Sequence, residues 1–270
     1  MFDSHCHLDL HQPASEQTKV WQRAKVAGVQ GALIAGVDPA GWAKQDTLAR
    51  THPELCVSYG LHPWSVAKLT KTTLASALQQ LDAVHSAPSH LLTPNAVGET
   101  GLDRSRPYLV DALPLQMIAF RHQLRLASAL QRPVILHVVK AHELALTTLS
   151  EEMAALGMEA WSGVVHSFGG SPEIAQRYLN LGFHISFSGL ICNPKATRAR
   201  NSAKMVPSTK LLVETDAPDQ LPFPLRDRPN ECALLVMVIE TLGSLRNETK
   251  DSVAGYSSAN ALRLFGVATS

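Results

Sequence analysis

Short runs of apolar, β-branched residues recur along this chain of 270 residues, and most of them end in a side chain that can bind a metal. The first run, residues 2–7, contains two imidazoles, and later runs end at His62, Glu99, His137, His166 and Asp216. A protein that gathers such groups from distant segments needs an architecture in which all strand ends meet. The carboxyl ends of the strands of a parallel (β/α)8 barrel meet in this way. The pattern therefore predicts a TIM-like (β/α)8 barrel with a metal site at its rim.

Eight segments have the composition of buried strands, which is the number that such a barrel requires. They cover residues 2–7, 29–37, 55–62, 95–99, 133–139, 163–168, 183–191 and 210–216. Helical patterns lie between them, for example over residues 113–127 and after the start signal Ser171-Pro172-Glu173. The long connections fit parallel βαβ units rather than hairpins. We predict a single domain over residues 1–270, because barrels of this length are single domains.

Composition limits the classes of function. The formal net charge is only +1, so contact with a nucleic acid would need a local basic patch. The chain has no basic leader followed by a long apolar stretch and no apolar run long enough to span a membrane, which favours a soluble cytoplasmic protein. The four cysteines are scattered and form no CxxC pair, so we expect reduced, mostly buried thiols rather than a thiolate zinc site.

The pair His5 and His7 is the first candidate metal motif. Side chains alternate across a strand, so both imidazoles should point into the barrel mouth while Cys6 packs outward against the helices. Taken alone, a His-x-His pair among 12 histidines can arise by chance. Its position at the end of the first strand favours a metal site.

Glu99 lies in a segment with glycines on both sides, Gly98 and Gly101, which permit close approach of backbone or ligand. Its carboxylate has two oxygens and could bridge two cations, although a salt bridge at the rim is an alternative. Asp103 could orient a loop or a ligand histidine instead of binding a metal.

The remaining candidates follow strands in the second half of the chain, except for His62. Singly, His137 or His166 would more often be a core histidine, but with His5, His7, Glu99 and Asp216 they complete an N/O ligand set for two divalent ions. Asp216 could also accept a proton from a water. We expect Glu214 to lie one layer deeper or to reach a third cation. His62 could bind that third ion or contact a phosphate oxygen, and a structural role for either residue is equally open.

These motifs together resemble the TatD family of metal-dependent hydrolases across essentially the whole chain. The resemblance is carried by Asp3-Ser4-His5-Cys6-His7, Gly60-Leu61-His62-Pro63, residues 98–103, 133–137 and 165–170, Glu214-Thr215-Asp216-Ala217-Pro218, and residues 260–266. It implies a binuclear centre and Mg²⁺-assisted DNase activity, often from the 3′ end. It also implies that His5, His7, Glu99 and Asp216 hold one ion and that Glu99, His137 and His166 hold the other. The sequence departs from the family pattern at two places that bear on substrate preference and leave the ligands intact. Asp103 is followed by Arg104-Ser105-Arg106-Pro107 where the family tends to have an aromatic residue, and Asn230-Glu231 is followed by Cys232 where proline is usual.

The expected reaction is hydrolysis of a DNA or small phosphodiester, with Mg²⁺ or Mn²⁺ supporting turnover and Zn²⁺ or another transition metal present in purified protein. Two alternatives stay open at this point. One is an amidohydrolase that acts on an amide, lactone or cyclic imide, although Lys140 lies too far past His137 to serve as a carbamylated bridge without a different register. The other is a metal-binding protein without catalysis.

The segment 193–204 is the expected phosphate-binding patch. It contains Lys195, Arg198, Arg200 and Lys204 and no acidic residue, and it follows the seventh strand on the predicted rim. A solvated helix face is the competing interpretation. Beyond the substrate we expect no membrane contact and no obligatory protein partner, and we expect a monomer.

Overall fold

Eight parallel strands surround one axis in the computed structural model, which describes residues 1–11, 13–86 and 91–267. Their order around the sheet is their order in the sequence: β1 Phe2–Cys6, β2 Gly31–Ile34, β3 Leu55–Tyr59, β4 Ala96–Asp103, β5 Val134–Val139, β6 Gly163–Val165, β7 His184–Phe187 and β8 Leu211–Val213. Backbone hydrogen bonds from Asp216 to His5 (3.0 Å) and from His7 to Ala217 (2.7 Å) join the first and last strands at the rim. The predicted TIM-like (β/α)8 barrel is confirmed.

Helices cover the outside of the barrel. They are α1 Ala14–Val26, α2 Pro39–Thr51, α3 Pro63–Val66, α4 Lys71–Ser86, α5 Pro107–Asp111, α6 Leu113–Ala129, α7 His142–Ala155, α8 Pro172–Asn180, α9 Thr197–Met205, α10 Leu235–Arg246 and α11 Lys250–Phe265. Short 3-10 turns occur at Leu8–Leu10, Gly189–Cys192, Ser208–Lys210 and Cys232–Leu234. Within the described ranges, no helix is both long enough and apolar enough to cross a membrane.

Local sequence explains where several helices begin and end. Asp38 accepts a hydrogen bond from the Gly41 N–H at the start of α2, and Thr249 does the same for Ser252 at the start of α11. α11 ends where Gly266 adopts a left-handed conformation, with φ of 62°.

The core has two layers because strand side chains alternate. An inner cluster fills the barrel and is closed by Ala261 and Phe265 of α11; its strand members are Phe2, Leu33, Cys56, Ala96, Ile135, Val164 and Leu212. An outer cluster joins the other strand faces to the helices and contains Cys6 together with Val20 and Trp21 of α1. The outward packing predicted for Cys6 is confirmed.

Every strand except β4 is shorter than its predicted segment, and β4 and β7 differ from the prediction most clearly. β4 does not end at Glu99 but continues to Asp103, because a register shift after Val97 lets residues 100–103 pair with β5. The predicted segment 183–191 splits, since β7 ends at Phe187 and residues 189–192 form a 3-10 turn. Glu99 therefore lies inside a long, glycine-containing strand, and its N–H donates to the Gly36 carbonyl oxygen at 2.8 Å.

Candidate active site

The six predicted metal ligands converge in one buried cluster around Glu99. Glu99 Oε2 lies 3.2 Å from Nε2 of both His5 and His7. Glu99 Oε1 lies 2.8 Å from His166 Nε2 and 3.3 Å from His137 Nδ1. Each oxygen of a single carboxylate thus faces a different pair of imidazoles.

Asp216 closes the cluster on the His5–His7 side. Its Oδ1 lies 3.7 Å from His5 Nε2 and 3.6 Å from His7 Nε2. The two imidazole nitrogens are themselves only 3.4 Å apart, and on the other side His137 Nδ1 is 3.1 Å from His166 Nε2. Nitrogens and carboxylate oxygens of these candidate ligands therefore lie close together.

Glycine permits the close approach of strands around Glu99. Gly101 has φ of 142°, and a Cβ built on it would lie 2.0 Å from the His137 carbonyl oxygen. Gly98 has φ of 144° and is also too crowded for a side chain, since a Cβ there would lie 2.8 Å from the Ile135 carbonyl oxygen. Only glycine fits such positions, so the Gly98 to Gly101 segment brings Glu99 and His137 together.

The carboxylates and imidazoles of the cluster strongly shift one another's pKa. Burial alone would raise the pKa of Glu99, but the surrounding imidazoles, led by His166 and His5, hold that pKa well below its usual range. Burial opposes protonation of His7, yet the Glu99 and Asp216 carboxylates outweigh it and raise its pKa to about 9. The pKa of His166 also lies well above its usual range, because Glu99 and Glu214 outweigh its burial. The site attracts positive charge.

The donor set fits divalent metal ions. His5 Nδ1, His166 Nδ1 and Glu99 Oε2 are buried and find no hydrogen-bond partner among the described residues. Three sets of donor atoms that lie within 4.8 Å of one another could hold an ion: His5, His7 and Asp216; His5, Glu99 and His166; and His62, Glu99 and His137. Imidazole and carboxylate are the usual ligands of Zn²⁺, Mn²⁺ and related ions. A cation would satisfy the carboxylate more completely than protonated imidazoles do.

Two acidic residues lie behind the candidate ligand histidines. Asp103 Oδ2 lies 3.1 Å from His137 Nε2 and accepts a second hydrogen bond from Trp64 Nε1 at 2.8 Å. Asp103 thus has the orienting position that the sequence offered as one alternative. Glu214 is fully buried; its Oε1 accepts a hydrogen bond from the Ser167 N–H at 2.6 Å and lies 3.4 Å from His166 Nδ1. Carboxylates behind metal-binding imidazoles fix the ring orientation.

His62 lies at the edge of the same cluster. Its Nε2 is 3.6 Å from Glu99 Oε1, and its Nδ1 accepts a hydrogen bond from the Trp64 N–H at 3.0 Å. Burial and the neighbouring His137 keep its pKa well below the usual value. Because Nδ1 accepts a hydrogen bond, the neutral ring carries its proton on Nε2, which can donate to a phosphate oxygen. Binding of a cation through Nε2 would require loss of the Trp64 hydrogen bond.

Sequence reasoning missed a network beneath Asp216. Asp3 accepts hydrogen bonds from the Thr215 N–H (2.9 Å) and hydroxyl (2.6 Å), and Asn230 donates to the Thr215 carbonyl oxygen at 2.7 Å. Burial raises the pKa of Asp3 to about 7. Cys6 and Cys232 lie beside Asp3, with the donor atoms of all three within 4.8 Å of one another, although all four cysteines are free as expected. From sequence, only the position of Asp3 and Asn230 within the quoted family motifs could have indicated this network.

A cavity of about 540 Å³ opens onto the cluster, and its lining includes candidate ligands together with Leu10, Val37, Trp64 and Val139. Its lining residue Gln220 also lines a neighbouring depression with Phe223 and Arg226. That depression shares Leu190 with a third one, which is lined by Lys195 and Arg198. This series of depressions thus shares lining residues from the cluster to the basic segment. Lys195 and Arg198 are exposed, whereas Arg200 donates to the Ile191 carbonyl oxygen.

A (β/α)8 barrel with imidazoles and carboxylates gathered at the carboxyl ends of its strands belongs to a class that includes many metal-dependent hydrolases. Comparison with known proteins narrows this class. Residues 2–266 match the family described as TatD related DNase. The chain belongs to the TatD family of metal-dependent hydrolases.

Three relatives illustrate the match. The chain is 34% identical to the 3'-5' ssDNA/RNA exonuclease TatD of Erwinia amylovora, over 99% of this chain and 100% of that protein. It is 31% identical to the uncharacterized metal-dependent hydrolase YabD of Bacillus subtilis, over 99% of both chains. The crystal structure of YjjV, a TatD homologue from Escherichia coli, superposes with a TM-score of 0.87 at 31% identity, over 99% of this chain and 98% of that chain.

Proposed function

We propose that this protein is a nuclease that hydrolyses phosphodiester bonds of DNA from the 3′ end, with two divalent ions. One observation carries the proposal: Glu99 presents Oε2 to His5 and His7 and Oε1 to His137 and His166. A carboxylate between two sets of nitrogen ligands is suited to bridge two cations, and paired ions stabilise both the attacking and the leaving oxygens of phosphoryl transfer. The relative from Erwinia amylovora, named a 3'-5' ssDNA/RNA exonuclease, supports this choice of substrate.

In this proposal His5, His7, Glu99 and Asp216 hold one ion, and Glu99, His137 and His166 hold the other. When bound, the ions supply Lewis acidity toward the phosphate and lower the pKa of a water. Mg²⁺ or Mn²⁺ supports turnover, and purified protein contains Zn²⁺ or another transition ion because imidazole-rich sites favour these.

The residues of the chain perform the remaining steps. Asp216 lines the cavity, with its side chain 11% exposed, and accepts the proton of the attacking water. The water oxygen bonds to phosphorus, the P–O3′ bond breaks, and the leaving oxygen takes a proton from solvent. Glu214 and Asp103 hold His166 and His137 in orientation. His62 donates from Nε2 to a phosphate oxygen rather than binding a third ion, since its Nδ1 accepts the Trp64 N–H. Glu214 fits the orienting role better than direct ligation.

The series of depressions supports a strand path from the cluster to Lys195 and Arg198. Cations along a groove contact phosphates without regard to base sequence. We further propose that the enzyme acts as a cytoplasmic monomer whose residues 1–270 form one domain, which gel filtration and cell fractionation would test.

The structure gives less support to an amidohydrolase. Glu99 lies at the centre of the imidazole cluster, while Lys140 is exposed beyond the end of β5. A binding protein without catalysis would not need Asp216 at the cavity wall.

A substrate screen tests the proposal. Purified protein supplemented with Mg²⁺ or Mn²⁺ would be offered single-stranded and double-stranded DNA, RNA and small phosphodiesters beside lactones and dihydropyrimidines. We expect hydrolysis of DNA oligonucleotides with release of mononucleotides from the 3′ end. Hydrolysis confined to lactones or dihydropyrimidines would contradict the proposal and select the amidohydrolase.

A further inference from the structure

Trp64 is an exposed aromatic side chain in the wall of the metal cavity. It is 41% exposed, whereas the other three tryptophans, Trp21, Trp42 and Trp161, are buried. It lines the same cavity as His137, Glu99 and the remaining ligands. A large, half-exposed aromatic ring beside a polar centre is a typical surface for recognition of a planar ligand.

The indole is held in place from two sides. Its Nε1 donates to Asp103 Oδ2 at 2.8 Å, and its backbone N–H donates to His62 Nδ1 at 3.0 Å. The ring meets His62 edge to face, with centroids 5.4 Å apart and an angle of 88°. An aromatic ring fixed in this way loses little conformational freedom when a ligand binds to it.

We propose that Trp64 is the platform on which the nucleobase next to the scissile phosphate stacks. Stacking on an aromatic ring tolerates any base sequence, because every base has a π-face. The cavity is also lined by the apolar side chains of Leu10, Val37 and Val139. The polar neighbours of Trp64 are already engaged with it, since Asp103 accepts a hydrogen bond from the indole and His62 Nδ1 accepts one from the Trp64 backbone. The platform therefore favours nucleotides over phosphate esters that lack a base. This inference rests on the proposed nuclease function and identifies where that function gains selectivity.

Two ligands, one with a base and one without, measure how much stacking on Trp64 contributes to binding. 5′-dAMP and deoxyribose 5-phosphate carry the same phosphate for the metals, so the ratio of their affinities reports the contribution of the base. We expect wild-type protein with Mg²⁺ to bind dAMP about 10-fold more tightly, as base stacking predicts. Tryptophan fluorescence should be quenched by dAMP and not by deoxyribose 5-phosphate, since Trp64 is the exposed indole.

Two variants separate the aromatic surface from the indole N–H. Trp64→Phe and Trp64→Leu both lose the hydrogen bond to Asp103, but only Trp64→Phe keeps an aromatic ring. We expect calorimetry to show most of the dAMP preference in Trp64→Phe and none in Trp64→Leu. Tyr108→Leu is the control, because Tyr108 is 48% exposed and does not line the cavity. Thermal melting and metal content would establish that each variant is folded and loaded.

The outcomes for the platform and for the nuclease function can be distinguished. Equal affinity of wild-type protein for the two ligands, or an unchanged preference in Trp64→Leu, would overturn the platform. Equal losses in Trp64→Phe and Trp64→Leu would also overturn it, since the aromatic ring would then contribute nothing. Failure of wild-type protein to cleave any oligonucleotide would instead contradict the proposed function.

Discussion

The backbone N–H of Asp216 donates to the carbonyl oxygen of His5 at 3.0 Å. This hydrogen bond joins the first and the last candidate metal ligands of the sequence at the seam where β8 meets β1. The neighbouring bond from His7 to Ala217, at 2.7 Å, lies on the same seam. The same backbone hydrogen bonds therefore close the barrel and bring His5, His7 and Asp216 together.

Asp216→Asn tests the proposed proton acceptor. An asparagine amide can still ligate weakly through its oxygen but cannot accept the proton. We expect kcat to fall by about 100-fold or more, within the range of general-base contributions, while bound metal falls much less. Asp219→Asn is the matched control, since Asp219 lines the same cavity outside the ligand cluster. Parallel losses of metal and rate in Asp216→Asn would show that Asp216 acts only as a ligand.

Glu214→Gln tests the orienting role behind His166. Gln keeps the size of the side chain but removes the charge that lies 3.4 Å from His166 Nδ1. Loss of such an orienting group costs about 10- to 100-fold in metal affinity or activity, and we expect a loss of that size. Metal titration and kinetics on the folded variant would measure it. Unchanged metal affinity and rate would remove Glu214 from the site.

The six candidate ligands could be predicted from sequence because each follows, or lies within, a recognisable apolar strand, and parallel strands bring such positions together. The orienting contacts could not be predicted in the same way. Asp3 and Thr215 are 212 residues apart, and their hydrogen bonds depend on how β1 and β8 meet. Trp64 likewise gave no periodic signal, since its contact with Asp103 joins the short helix α3 to the end of β4. Local patterns locate strand ends, whereas contacts between distant segments depend on the closed barrel.

Lys195→Ala and Arg198→Ala test the basic segment. Each should weaken single-stranded DNA binding for any sequence and lower the salt dependence by about 0.7 per lost phosphate contact. Binding would be measured at several salt concentrations in the Asp216→Asn background, which retains metal. Lys25→Ala is the control, because Lys25 pairs with Glu54 at the amino ends of the strands, away from the rim. Unchanged affinity and salt slope in both rim variants would favour a small-molecule substrate.

His85 gives the fold a dependence on pH that is separate from the metal site. Burial, assisted by Arg132, lowers its pKa to about 4, while its Nε2 donates to the Tyr59 carbonyl oxygen. Because the folded pKa lies below the unfolded one, the protein loses stability as pH falls from about 6.5 toward 4. Between pH 7 and 5 we expect wild type to lose on the order of 2 kcal/mol more unfolding free energy than His85→Gln. Urea unfolding at both pH values would measure this, and identical losses would contradict it.

The most direct test of the account is cleavage of a single-stranded oligonucleotide by wild type and by Glu99→Ala, with bound metal measured in the same samples. Glu99 contacts both imidazole pairs, so its loss should remove a ligand from both ions. We predict that wild type with Mg²⁺ releases mononucleotides, that a chelator stops it, and that Glu99→Ala is folded, depleted of metal and inactive. Near-normal cleavage by Glu99→Ala with normal metal content would contradict the proposed binuclear centre.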